Sequence, residues 1–236
     1  YKASGNEIIP EIMERYSQLL TYGRQFSMSR QAFINDGVSF IETIPALYAQ
    51  SARLGINRLV YQTLAKNPAI WDGKQLFHTD HNNIAQTGSA PTVEALSEMR
   101  RLLRRQTAPG GDVKLNIPAR FMLVPTKLET KAWQLISSTV DPAATNPNVP
   151  NPFLNKFTII SDAELDDATV NGEKEWYVTS DKLRSPIQVD FLNGKDMPTI
   201  AMKTAPAGQL GFLWDIYMDY AVTVVDYKTV VKNNGQ

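Results

Sequence analysis

The only two histidines of the chain sit together in Phe77-His78-Thr79-Asp80-His81. Two imidazoles flanking a carboxylate are residue types that hold zinc or pass a proton, so His78, Asp80 and His81 form a candidate metal or acid–base set. All three would have to converge from one short loop. The simpler reading is that Asp80 and the two rings bond the backbone of a surface turn joining two elements. Arg100, Arg101, Arg104 and Arg105 make two i, i+4 pairs, which suit a phosphate backbone or an acidic neighbouring subunit; a solvated helix end is the plainer alternative. Asp162, Glu164, Asp166 and Asp167 carry the charge for a cation but lack the glycine and ligand spacing of a calcium loop. A turn or an acidic contact patch fits them better.

Other chemistry finds no footing. A phosphate-cradling loop needs closely spaced glycines followed by Lys-Ser or Lys-Thr, whereas Gly208 and Gly211 are too few and Gly194-Lys195 runs into Asp196. No Gly-x-Ser-x-Gly elbow is present. With no cysteine, the chain has neither disulfides nor thiolate sites. Lys plus Arg and Asp plus Glu both number 24, so the formal net charge is zero, and a protein whose main task is gripping nucleic acid would show a basic excess. No apolar run approaches the roughly 20 residues that span a bilayer. The chain begins at Tyr1 without methionine or a charged-then-apolar leader, which reads as a product trimmed by maturation or by a cloning boundary rather than a secretory precursor.

The elements that must position these residues read as a mixed α+β chain. With 236 residues, 43% of them hydrophobic, it can bury a core in one large domain or two small ones. Residues 8–20 repeat apolar positions at three and four, as a helix would, yet Pro10 fits only a first turn, and Arg24 to Ser29 alternate like a strand. Thr43 as N-cap, Pro45 in the first turn and Asn67-Pro68 as a stop predict a helix from Pro45 to about Lys66. Such a helix would be roughly 33 Å long. A compact chain of this length has a radius of gyration of only about 17 Å, so the helix would run as a spine.

A second helix is predicted over Thr92–Gln106, ended by Pro109-Gly110-Gly111. Arg120–Pro125 reads as a buried strand, and Thr126-Lys127-Leu128-Glu129 as a capping box opening a helix through about Ser137. The prolines of 141–152 predict an exposed loop. Strands follow at 157–160, 175–179, 187–192 and 199–203. The best of the pattern is last, alternating from Phe212 to Tyr220 with a second stretch to Asp226, and its Trp214, Tyr217 and Tyr220 read as core rather than as a ligand platform.

Taken in order, several stretches resemble the Mu-like branch of tailed-phage major capsid proteins, which share the Johnson capsid fold. They are Tyr22-Gly23-Arg24-Gln25-Phe26-Ser27-Met28-Ser29-Arg30-Gln31-Ala32, Ile34-Asn35-Asp36, Leu59-Val60-Tyr61, Leu76-Phe77-His78 with Asp80-His81-Asn82, Arg120 to Glu129, and Asp215 to Asn233. The resemblance implies an extended two-stranded arm over 1–30, a peripheral domain of 31–121 and 207–236 built on a spine helix at 45–66, and an axial domain over 122–206. Periodicity and resemblance differ over the first residues, and the arm is the expectation adopted.

The resemblance further implies a structural subunit, not an enzyme, with no catalytic, cofactor or metal residues assigned. It would assemble with copies of itself through hexamers and pentamers into an icosahedral head enclosing double-stranded DNA. Portal, scaffold and decoration proteins are candidate partners; the DNA would be met only by non-specific proximity, and no membrane is involved. The expected place is the virion, after assembly in the host cytoplasm. Three other readings compete: a cellular nanocompartment shell of the same fold, a metal-dependent hydrolase centred on His78, Asp80 and His81, and a nucleic-acid module using the arginine helix.

Overall fold

The computed structural model describes residues 17–35, 39–108, 113–146, 149–181, 185–204 and 210–236. The chain is α+β and divides into two compact units, described separately: Leu64–Pro186 with Val224–Gln236, and Ser17–Thr63 with Ile187–Thr223. The helix-or-arm question over residues 1–16 and the stop at Pro109-Gly110-Gly111 lie outside the described residues.

In the second unit the alternating run forms strand β1, Leu20–Ser29, followed by a short helix α1, Arg30–Asn35. The predicted long helix forms as α2, Ser39–Ala65, 27 residues. It opens six residues before Pro45, so Thr43 lies inside it instead of capping it. Its stop is as read: Asn67 takes a left-handed φ of 51° just before Pro68. Asn67 Oδ1 also accepts the Phe77 N–H at 2.6 Å, fixing the loop beyond the helix.

The unit's sheet is organised around one strand. The alternating region expected as two stretches forms a single 14-residue strand, β7, Gly211–Val224. Along one edge β1 pairs with it antiparallel, from Leu20 opposite Tyr220 to Ser29 opposite Gly211. Along the other run β5, Ile187–Phe191, and β6, Thr199–Thr204. Asp215 of β7 ties β1 and β6 to its strand, because its Oδ1 accepts from Gln25 Nε2 at 2.8 Å while its Oδ2 pairs with Lys203 Nζ. Those two bonds, Lys203's first, hold its carboxyl below the usual range. Tyr22 stacks on Tyr220 at 4.4 Å across the same pair.

The first unit is a helix-on-sheet layer. Its sheet runs β3-β2-β4-β8, formed by Thr158–Ser161, Phe121–Val124, Trp176–Thr179 and Val230–Asn233. Strand β2 feeds helix α4, Thr126–Ser137, and β3 returns parallel to β2, as a parallel pair requires a crossover. Helix α3, Val93–Arg105, begins where expected, with Thr92 Oγ1 accepting the Ala95 N–H at 3.2 Å. Leu96, Met99 and Leu103 of α3 and Leu128, Ala132 and Leu135 of α4 share one core with Met122, Val124, Trp176 and Val231. Every residue of β4 is buried, which explains its unbroken apolar Trp-Tyr-Val.

Two local expectations need correction. The capping box of α4 does not close: Pro125 stands at the N-cap without a side-chain bond, and Thr126 is held by Asp166 instead. A strand also forms beyond Asp226, where the pattern placed none. That strand, β8, exists because β4 offers it an edge, from Trp176 opposite Asn233 to Thr179 opposite Val230. Beside it, Lys232 Nζ meets Glu175 at 2.9 Å with both side chains largely buried, and the Tyr177 hydroxyl donates to the same carboxylate at 3.3 Å. Burial, aided by Glu175, pushes the Tyr177 phenol far above its ordinary value.

Candidate functional site

The histidine loop is built by amide clamps. Asn83, fully buried, accepts the His78 N–H through Oδ1 at 3.2 Å and donates through Nδ2 to the carbonyls of Leu76 at 2.8 Å and Tyr227 at 3.3 Å. Inside this frame His78 and Asp80 stay together, His78 Nδ1 3.6 Å from Asp80 Oδ2, while His81 turns to other partners. His81 is buried, its Nδ1 3.1 Å from the Leu76 carbonyl and its Nε2 2.6 Å from Asp72 Oδ2. Its ring stacks on Tyr227 at 3.9 Å and 11°. Both nitrogens face acceptors, so neither is left as a lone-pair donor to a metal. His78 Nδ1 accepts the Asp80 N–H at 3.2 Å, and the Asp80 carboxylate pairs with Lys74 Nζ at 2.6 Å. That hydrogen bond holds the Asp80 carboxyl below its usual value.

No group of three or more His, Cys, Asp or Glu side chains able to hold a metal occurs among the described residues. Both rings bond nearby backbone, with two differences from the simpler reading: His81 is buried rather than at the surface, and Asp80 bonds a lysine rather than the backbone. Sequence reasoning missed Asp72 and Tyr227. Asp72 stands nine residues before His81 in no recognisable motif, and Tyr227 comes from the far end of the chain.

The arginines separate by role. The Arg100 guanidinium lies over the Phe153 ring, 4.9 Å from its centroid. Arg101 and Arg105, both exposed, line a cavity of about 400 Å³ with Asp80, Lys114 and Tyr227. Arg104 is exposed and does not line it. The acidic run is structural: Asp162 Oδ1 accepts the Glu164 N–H at 2.9 Å, and Asp166 caps α4. Of the aromatic strand, Tyr220 is buried and Trp214 packs on Phe26 at 5.7 Å, as core residues do, whereas Tyr217 is 38% exposed.

The second unit leaves several large apolar residues exposed. On α2, Leu47 is 55% and Leu54 61% exposed; Met197, Met202 and Leu210 are more exposed still. Among the described residues β1 lies at the end of its sheet, and most of its residues are exposed. A strand at a sheet end presents backbone groups that a further strand can pair, whereas apolar residues exposed singly are ordinary on a protein surface.

A sequence model of the family described as phage capsid protein matches residues 13–233. This chain belongs to the phage capsid protein family. Among solved structures, the capsid protein is similar to one from Mycobacterium phage Patience, with TM-score 0.58 and 11% identity over 92% of this chain and 68% of that one. It is similar to one titled the capsid of Myoviridae phage XM1, with TM-score 0.57 and 12% identity over 93% and 74%. A third is from Mycobacterium phage Che8, with TM-score 0.54 and 15% identity over 92% and 72%. Among curated proteins no relative matches. Identities this low speak for the fold alone, and that fold is the phage capsid fold; the family match makes the chain a structural major capsid protein of the phage head. No helix among the described residues is long and apolar enough to cross a membrane.

Proposed function

We propose that this capsid protein, of the Mu-like branch, tiles through hexamers and pentamers into an icosahedral head around double-stranded DNA, assembling in the host cytoplasm. The observation that carries the reading is that, among the described residues, β1 stands at the end of its sheet and α2 exposes Leu47 and Leu54, in a chain of a capsid family. Each copy makes several modest contacts, and a closed shell holds because breaking one leaves the others in place. Portal, scaffold and decoration proteins complete the head in this reading.

The domain roles belong to the same proposal. The expected peripheral role of 31–121 and 207–236 takes in α2, as its spine, with α3, β7 and β8. The axial role expected for 122–206 takes in α4 with strands β2 to β6. Residues 20–29 form the base of the arm expected over 1–30. Electron microscopy of the purified protein, or of its native particle, tests the reading. Hexamers, pentamers or closed shells are expected, and a chain that stays monomeric at high concentration overturns it.

A further inference from the structure

Two motifs that stand apart in the sequence, the histidine loop and the arginine pairs of α3, meet at one cavity of about 400 Å³. That size is within the range of small-ligand sites. The cavity is lined by three cations, Arg101, Arg105 and Lys114, against one carboxylate, Asp80. The carboxylate is already occupied, 2.6 Å from Lys74 Nζ outside the lining. No salt bridge joins any of the three cations to a described residue. Part of their charge answers the C-terminus of α3, but a helix end amounts to only about half an elementary charge.

The wall behind them is fixed. Gln106, buried at the helix end, donates through Nε2 to the carbonyls of His81 at 3.0 Å and Asn82 at 3.2 Å. Leu115 N–H returns to the Gln106 carbonyl at 2.8 Å, which holds Lys114 beside the arginines. We infer that this cavity is a phosphate-binding site of the capsid protein, formed by Arg101, Arg105 and Lys114. Phosphate is favoured over carboxylate by donor count. Two planar guanidinium forks and an ammonium offer more N–H groups than the two oxygens of one carboxylate can accept, and the additional oxygens of a phosphate match them. The site goes beyond the shell reading and stands without it, since every lining residue belongs to a single copy.

The source of the phosphate, a nucleic-acid backbone or a free ion, is decided by the experiment. Purified full-length protein is titrated calorimetrically with pyrophosphate, with a short double-stranded DNA, and with polyglutamate, as wild type and as Arg101→Gln/Arg105→Gln, Lys114→Gln and Arg104→Gln. Pyrophosphate should bind the wild type and Arg104→Gln equally. Its affinity should drop about tenfold or more in the double variant, the loss of one or two charge-assisted bonds, and less in Lys114→Gln. If the DNA follows the same pattern the backbone is the source; if it binds no variant differently, the free ion is. Equal weakening by Arg104→Gln, absent pyrophosphate binding, or stronger binding of polyglutamate, which would mark an acidic-peptide site, overturns the inference.

Discussion

Asp166 caps helix α4 from forty residues away: its Oδ1 accepts the Thr126 N–H at 2.9 Å and its Oδ2 takes the Thr126 hydroxyl. A carboxylate at a helix N-terminus satisfies an orphan donor and meets the positive end of the dipole. Asp166→Ala should therefore cost about 1 kcal/mol in denaturant unfolding of the unassembled subunit. Glu129→Ala, the partner that a local capping box would have used, should cost less than half as much. Equal losses in the two variants would return the cap to Glu129.

His81 is the buried hub of the loop, and His81→Ala removes a stacked ring and leaves Asp72 Oδ2 without its ring partner. A loss of roughly 2–4 kcal/mol is expected. Asp72 adds a pH signature. Burial works against its charge, but hydrogen bonds from the Lys74 N–H and His81 outweigh it and hold the carboxyl below its ordinary value of 3.8. A depressed folded value means that the stabilisation is present above the ordinary value and lost as pH falls through the folded one. Denaturant midpoints followed downward from about pH 5 should fall more steeply for wild type than for Asp72→Asn. Parallel curves would count against the pair.

These two cases mark how far the sequence reaches. Helix α3 was legible because Thr92, the apolar spacing and the terminal arginines are local signals that agree. The end of α2 was legible through Asn67-Pro68, but its start was not, since Thr43-x-Pro45 offers an equally good local start inside a longer helix. The Thr126 box was misread because Asp166 competes for the same donors from across the fold. β8 was invisible because Val230 and Val231 run straight into the polar Lys232 and Asn233, and pairing with β4 makes them a strand. The polar residues of the histidine loop were legible as a turn, while the Asp72–His81–Tyr227 assembly depends on contacts that no spacing records.

Gly235 pins the C-terminal turn. It has φ +65°, and an added Cβ would strike the Lys174 carbonyl and side chain, whereas Gly73, at φ +77°, opens onto free space. Both substitutions to alanine incur left-handed strain of about 1 kcal/mol. Gly235→Ala adds a backbone clash, so its total should reach roughly 3 kcal/mol while Gly73→Ala stays near the strain alone. Unfolding midpoints test the difference, and hydrogen exchange should show β8 opening first in the Gly235 variant.

The exposed face of α2 separates folding from assembly. Leu54 is 61% exposed in the single chain, so Leu54→Glu should change the stability of the unassembled subunit by no more than about 0.5 kcal/mol. At a subunit contact the same change replaces buried apolar area with a charge that must be desolvated, a penalty of several kcal/mol. Because a closed shell repeats every contact many times, even a modest loss per copy removes the particle. Sedimentation and electron microscopy should find a folded variant that forms no shells. Normal particles from Leu54→Glu would place the assembly contacts elsewhere, leaving the open edge of β1 as the surface to alter next.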